Sequence, residues 1–102
     1  MPSYHVYFDA AAGIAVDALV TQVHSFMEGQ MAKNHAAGWR LLHMTNKASF
    51  PDLCDFHLIV DYASEADLQQ AFAEMKRMYK EEPHLTLMRM VSDFRVAFSQ
   101  DR

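Results

Sequence analysis

The most restrictive feature of this sequence is the order of its apolar patterns. Some stretches repeat every two residues, as strands do, and others repeat every three to four residues, as helices do. Four stretches have the alternation or the aromatic and β-branched content of strands, and two place apolar residues on one face of a helix. The predicted strands are Tyr4–Asp9, Trp39–Thr45, Asp55–Tyr62 and Leu85–Val91, and the helices begin near Val16 and after Ser64. This β-α-β-β-α-β order predicts a ferredoxin-like α+β fold: a four-stranded antiparallel sheet with two helices on one face.

The connections and helix faces follow from the same patterns. Ser64 is predicted to cap the second helix, which ends at Glu81 to Pro83. The segment 34–38 is expected to end the first helix, and 46–52 to form a hairpin loop. Phe94 to Phe98 is interpreted as a further strand after a bulge near Ser92 and Asp93. The predicted buried stripes are Val16, Leu19, Val20, Val23, Phe26, Met27 and Met31 in the first helix, and Leu68, Ala71, Phe72, Met75, Met78 and Tyr79 in the second.

Length and charge exclude several classes of protein. The 102 residues predict a single domain over residues 1–102. The net charge is −4 and charges of both signs are interspersed, which argues against a nucleic-acid or membrane partner. A lone cysteine, Cys54, excludes an intrachain disulfide and is expected to be a buried apolar thiol. The chain begins without a charged and then apolar leader, so a cytoplasmic location is predicted.

Strand alternation predicts a second sheet face that is neither a plain core nor a plain surface. The wholly apolar positions of the two central strands belong against the helices. The opposite face then carries His5, Tyr7, His57 and Ile59, flanked by Asp9, Asp55 and Asp61. This mixture is typical of a covered but hydrated cavity, and a second copy of the same sheet is the simplest cover. The sequence therefore predicts a homodimer with a polar and aromatic pocket on this inner sheet face.

The whole chain resembles the dimeric α+β barrel superfamily. The residues that carry the resemblance are the Tyr4–Phe8 strand, Gly38-Trp39-Arg40-Leu41, Asp55-Phe56-His57-Leu58 and the segment from Leu85 to Phe98. It is similar to the antibiotic-biosynthesis monooxygenase, EthD and stress-responsive barrel families, and to an uncharacterised bacterial group among them. The resemblance implies two sheets that close into a shared barrel around a small-molecule pocket. Because members differ in activity, it does not select a function.

Asp55, His57 and His5 form the principal candidate cluster. Asp55 and His57 are two positions apart on one strand and share a face, and His5 is expected on the adjacent central strand. The trio is compatible with a divalent metal, or with a His57 base that Asp55 orients and Tyr7 assists. Hydrogen-bonded histidines within an interface explain the same pattern. We predict no metal and no cofactor, since phosphate-binding loops and Cys-x-x-Cys motifs are absent.

Four further residues are candidate ligand contacts. Arg40 and Arg89 suit a carboxylate clamp, or an ordinary ion pair. Trp39 suits an aromatic platform for a planar ligand, or packing against the first helix. His43 is a candidate pocket residue whose facing the pattern leaves open.

Three functions fit these residues. The first is a small-molecule-binding homodimer with the pocket around His5, Tyr7 and His57. The second is a cofactor-independent oxygenase or isomerase that acts on a planar or carbonyl compound, with Tyr7 or Arg89 as the oxygen stabiliser. The third is a structural interaction module whose barrel is filled by side chains.

Overall fold

A computed structural model describes residues 1–33 and 36–102. Seven elements follow one another along the chain. They are β1 (Pro2–Ala10), α1 (Val16–Lys33), β2 (Ala36–His43), β3 (Phe56–Tyr62), α2 (Glu65–Met78), α3 (His84–Arg89) and β4 (Val91–Gln100). The strands form one antiparallel sheet in the order β2-β3-β1-β4. The predicted ferredoxin-like α+β class is confirmed, with a third, short helix before the last strand.

The central strands show the predicted alternation. Tyr4, Val6 and Phe8 of β1 are buried, and so are the alternate residues of β3 from Phe56 to Tyr62. The residues between them are half-buried, because they lie on the face that no helix covers. Leu19 and Val23 of α1 pack into the core against this sheet, and Leu19 is 0% exposed.

The helix patterns were correct at their centres and wrong at their ends. Val16 is 41% exposed, Met31 is 36% exposed, and Tyr79, which follows α2, is 51% exposed. The Ser64 cap is confirmed, since its Oγ accepts a hydrogen bond from the Asp67 N–H at 3.1 Å. The predicted end of the first helix at 34–38 falls partly on residues 34 and 35, which lie outside the described residues.

The prediction of a strand over Leu85–Val91 is wrong. His84–Arg89 is a helix, with backbone bonds from Leu85 N–H to Glu81 O (3.0 Å) and from Leu87 N–H to Pro83 O (3.3 Å). A short apolar run has no period of its own strong enough to distinguish a helix from a strand. The helical turn buries Leu87 beneath the core, and the last strand begins only at Val91.

The last strand contains the predicted bulge. Asp93 has a φ of 52°, and the pairing of β1 with β4 shifts between Tyr7 and Asp9. A left-handed residue and a register shift are the marks of a bulge in an antiparallel pair. Beyond it, Val96 and Phe98 lie opposite Val6 and Tyr4, so β4 extends the helix-side face to the edge of the sheet.

No helix within residues 1–33 and 36–102 is long and apolar enough to span a membrane.

Candidate functional site

The open face of the sheet brings His5 and His57 together. His5 Nδ1 lies 2.8 Å from His57 Nε2, and His5 Nε2 lies 2.6 Å from the Ser99 hydroxyl. The Tyr7 ring stacks on the His57 ring with centroids 4.2 Å apart and an interplanar angle of 15°. Three of the predicted residues therefore form one contiguous group, which we call the histidine pair (His5 and His57) with its stacked Tyr7.

The surroundings of the histidine pair favour neutral His57. Partial burial lowers the pKa of His57 from its ordinary value of 6.5, and the positive charges of His5 and Arg40 lower it further. Arg40 lies on the same face as the pair, since it is opposite Ile59 in the register of β2 and β3. Leu42, opposite His57, adds an aliphatic group to this face.

Asp55 does not join the histidine pair. Its carboxylate forms an ion pair with Lys47 at 2.8 Å, and its backbone N–H donates to the Asp9 carboxylate at 2.7 Å. The hydrogen bond with Asp55 raises the pKa of Lys47. The predicted arrangement in which Asp55 orients His57 is therefore wrong, because Asp55 precedes β3 and turns toward the 46–52 loop. Within residues 1–33 and 36–102 no three His, Cys, Asp or Glu side chains are placed to hold a metal ion.

Trp39, His43 and Arg89 lie away from the open face. Trp39 is opposite Val60 and meets His24 of α1 edge to face at 4.9 Å, as expected if it packs against the first helix. His43 stacks on Phe56 at 4.5 Å on the helix side. Arg89 is an exposed residue of α3, because the segment that carries it is a helix and not a strand. The structure therefore does not bring these three residues together with the histidine pair, and their role as ligand contacts stays a prediction.

Cys54 is a buried thiol, as expected. It is 7% exposed and its Sγ lies 3.7 Å from the carbonyl oxygen of Asp93. Burial raises the pKa of the thiol, and raises it against the opposing effect of Arg95. Burial and the raised pKa both disfavour the thiolate, which is the nucleophilic form of cysteine.

A cavity lies on the other side of the sheet, between it and the helices. Its volume is about 60 Å³, taken as the space open to the centre of a water-sized sphere, and on that scale one water needs roughly 10–15 Å³. Its walls are almost wholly apolar, with side chains from the sheet and all three helices that include Val6, Val23, Phe26, Leu58, Met75 and Leu87. The sequence patterns do not reveal it, because they assign the lining residues of the two central strands to a core packed against the helices.

Tyr4 and Tyr62 are the polar groups that β1 and β3 contribute to this cavity. Burial raises the pKa of Tyr4 to about 12, with a smaller effect from Tyr62, and burial also raises the pKa of Tyr62. Both hydroxyls are therefore neutral hydrogen-bond donors at physiological pH. The sequence contained a signal for these two residues. They are the tyrosines at helix-facing positions of β1 and β3, where the other residues are aliphatic or phenylalanine.

A second, smaller pocket of about 40 Å³ adjoins the cavity. Phe26, Gln30, Met75 and His84 line both spaces, so they form the partition between them. His84 is held there by a contact of 2.9 Å between its Nδ1 and the Tyr79 carbonyl oxygen, and its ring lies 5.7 Å from that of Phe26. The two spaces are therefore neighbours on the helix side of the sheet.

The fold and these sites define a ferredoxin-like α+β protein with an apolar cavity between its sheet and its helices. The chain belongs to a family of unknown function, DUF6614, whose model matches residues 1–101. No curated protein sequence matches it significantly.

Solved structures with the same fold have little sequence in common with this chain. The Arabidopsis thaliana protein At3g17210 has a TM-score of 0.75 at 5% identity, over 100% of this chain and 96% of its own. A dimeric ferredoxin-like protein of unknown function from Thermobifida fusca has a TM-score of 0.62 at 16% identity, over 96% and 88%. The hydroxynitrile lyase from Passiflora edulis has a TM-score of 0.60 at 12% identity, over 96% and 91%. At these identities the likeness is one of fold.

Proposed function

We propose that the protein is a homodimer that binds a small molecule in the cavity between its sheet and its helices. The observation that carries the proposal is the cavity itself: an apolar space lined by two tyrosines. Small-molecule sites typically combine an apolar wall with a few polar groups that fix orientation. We therefore propose a pocket on the helix side, whereas the pocket on the inner face stays a prediction from the sequence. A cytoplasmic location in a bacterium stays a prediction from the sequence.

The open face supports the dimer. Ile59 and Leu42 are aliphatic groups on it, and the histidine pair and Tyr7 add large rings. These uncovered aliphatic groups and rings of the open face suit an interface. Separately, β4 is an unpaired edge strand, which invites another chain, and its helix-side residues Phe94, Val96 and Phe98 are 42%, 42% and 52% exposed. The Thermobifida protein of the same fold is itself described as dimeric.

Light scattering tests the dimer. We expect twice the chain mass at micromolar concentration, and a monomer after Ile59→Lys, because a buried unpaired ammonium opposes association. Ala18→Lys, on the exposed surface of α1, introduces the same charge away from the face and should leave the dimer intact. A monomeric mass for the native protein would refute the dimer.

Methyl NMR tests the cavity. Benzene is expected to shift the methyl signals of Met27 and Met75, both of which line the cavity. Met88→Trp should abolish the shifts, since Met88 lines the cavity from α3 and the indole would fill it. The matched control is Arg89→Trp, which places the same ring on the exposed side of the same helix. Unshifted methionine signals in the native protein at saturating benzene would refute binding in the cavity.

The second candidate is a cofactor-independent oxygenase or isomerase acting at the open face. It is favoured by one observation: His57 has a lowered pKa and stacks on Tyr7, so a neutral base and a hydroxyl lie side by side. The fold is compatible with catalysis, as its presence in a hydroxynitrile lyase illustrates. In this case His57→Asn would abolish turnover and leave the dimer intact. Loss of the dimer in that variant would make His57 a structural residue.

The third candidate is a structural interaction module whose barrel, between the inner faces of two sheets, is filled by side chains. The rings and aliphatic groups of the open face are compatible with it, and a ligand that binds in the helix-side cavity would favour the first candidate instead.

A further inference from the structure

Tyr4 and Tyr62 lie side by side on the cavity wall. Tyr4 is opposite Val60 in the register of β1 and β3, so Tyr62 is its diagonal neighbour on the same face. Diagonal side chains on adjacent strands are about 7–8 Å apart at their origins, within reach of each other for long aromatic groups. The two side chains therefore rise from neighbouring positions of the cavity wall.

Neither hydroxyl has a hydrogen-bond partner among residues 1–33 and 36–102. In the same part of the chain, no fully buried side-chain nitrogen or oxygen is left without a partner. Since the two hydroxyls have no partner there, they cannot be fully buried and must face open space. The cavity is the space that both tyrosines line. Two donors that face an apolar cavity are satisfied by water or by a ligand that brings an acceptor.

The charges around the cavity restrict that ligand. Among residues 1–33 and 36–102, no Lys, Arg, Asp or Glu side chain lines the cavity, and Gln30 and His84 are its other polar lining residues. The smaller pocket is lined by three carboxylates, Glu74, Glu81 and Glu82, and by one ammonium group, Lys33. An anion in the cavity would therefore lose its hydration without a Lys or Arg side chain to pair with, beside a mainly acidic pocket.

We propose that the ligand of this cavity is a neutral, compact ring compound with one carbonyl oxygen, which accepts hydrogen bonds from Tyr4 and Tyr62. This inference rests on the proposed function, since it names the ligand class for the same cavity. At about 60 Å³ the cavity is smaller than the roughly 150 Å³ that holds benzene elsewhere, so a ring can enter only if the lining side chains move. Met27, Met75 and Met88 line it, and their flexible thioether chains can move aside for a six-membered ring.

Three matched probes test the ligand class. Cyclohexanone carries the carbonyl, methylenecyclohexane has the same shape with a methylene group instead, and cyclohexanecarboxylate carries a negative charge. Each is titrated against the native protein while the methyl signals of Met27, Met75 and Met88 are followed by NMR. We expect cyclohexanone to bind about fivefold more tightly than methylenecyclohexane, the value for about 1 kcal/mol from a net hydrogen bond, and cyclohexanecarboxylate not to bind.

Two Tyr→Phe variants locate the hydroxyls responsible. In the Tyr4→Phe, Tyr62→Phe double variant the preference for cyclohexanone should disappear, while methylenecyclohexane binds as before. The double variant is expected to fold, because neither hydroxyl bonds to the described part of the protein. Tyr7→Phe removes a hydroxyl from the open face instead and should keep the full preference.

The outcomes separate this inference from the proposed function. Equal affinities of the native protein for cyclohexanone and methylenecyclohexane, or tighter binding of cyclohexanecarboxylate, would overturn the ligand class and leave the cavity as a binding site. A preference that survives in the double variant would overturn the role of the tyrosines. If no probe, benzene included, moves the methionine signals, both the ligand class and the proposed function fail.

Discussion

His5 Nδ1 lies 2.8 Å from His57 Nε2, across the two central strands of the sheet. At this distance one nitrogen donates and the other accepts, so a single hydrogen lies between the rings. Protonation of both rings would place two N–H groups and two positive charges against each other, with Arg40 adding a third. The histidine pair therefore holds at most one additional proton while its contact lasts.

Acidification should destabilise the protein through His57. Its folded pKa is below 6.5, so between the two values the unfolded chain binds more protons than the folded chain. The free energy of unfolding is therefore expected to fall as the pH drops from 6.5 through the lowered pKa. Below the lowered pKa, the stability that depends on neutral His57 is lost completely. Urea unfolding at about pH 7.5 and about pH 5.5 measures the change.

Two variants identify the source of this pH dependence. His57→Gln should reduce the difference between the two conditions, because the titrating group is gone. His24→Gln, on the exposed side of α1, should leave it as in the native protein. An unchanged pH dependence in His57→Gln would assign the effect to other groups.

Removal of the Asp55 charge should leave His57 unaffected. Asp55 is paired with Lys47, and the two side chains are 50% and 31% exposed. In Asp55→Asn the NMR titration midpoint of His57 should stay as in the native protein, while the pKa of Lys47 falls. A clear drop in the titration midpoint of His57 in this variant would show that Asp55 does interact with His57. The cost in stability should be below about 1 kcal/mol, as for other exposed pairs.

The cap of α2 should be worth about 1 kcal/mol. Ser64→Ala removes the oxygen that accepts from the Asp67 N–H and leaves that donor without its side-chain partner. Ser64→Asp supplies an equivalent oxygen and should retain most of the stability. Urea unfolding of the two variants makes the comparison, and equal losses would show that the cap contributes through something other than this bond.

Truncation of Leu19 should be the most damaging of these changes. The side chain is fully buried between α1 and the sheet, and Leu19→Ala is expected to cost about 2–5 kcal/mol through lost burial and a new void. Val16→Ala, one turn earlier on the same helix, removes a side chain that is 41% exposed and should cost well under about 1 kcal/mol. A small effect at Leu19 would mean that the core collapses to fill the void.

The accuracy of the sequence predictions depended on the strength of each local period. The third strand was predicted as Asp55–Tyr62 and runs Phe56–Tyr62, because strict alternation distinguishes the two faces of a half-covered strand. The run Leu85–Val91 has no such alternation, and there the prediction failed. Its helical form depends on burying Leu87 against a core built from distant segments.

The sequence by itself determined the order of the elements, the antiparallel class of the sheet, and which side chains of β1 and β3 share a face. These follow from periods of two and 3.6 residues, which are local properties of the chain. Only the tertiary structure decided which polar groups meet: His57 with His5, Asp55 with Lys47, and Tyr4 beside Tyr62 on an open cavity. Such contacts depend on strand register and on how closely helices approach the sheet, and neither is encoded in the spacing of residues along one strand.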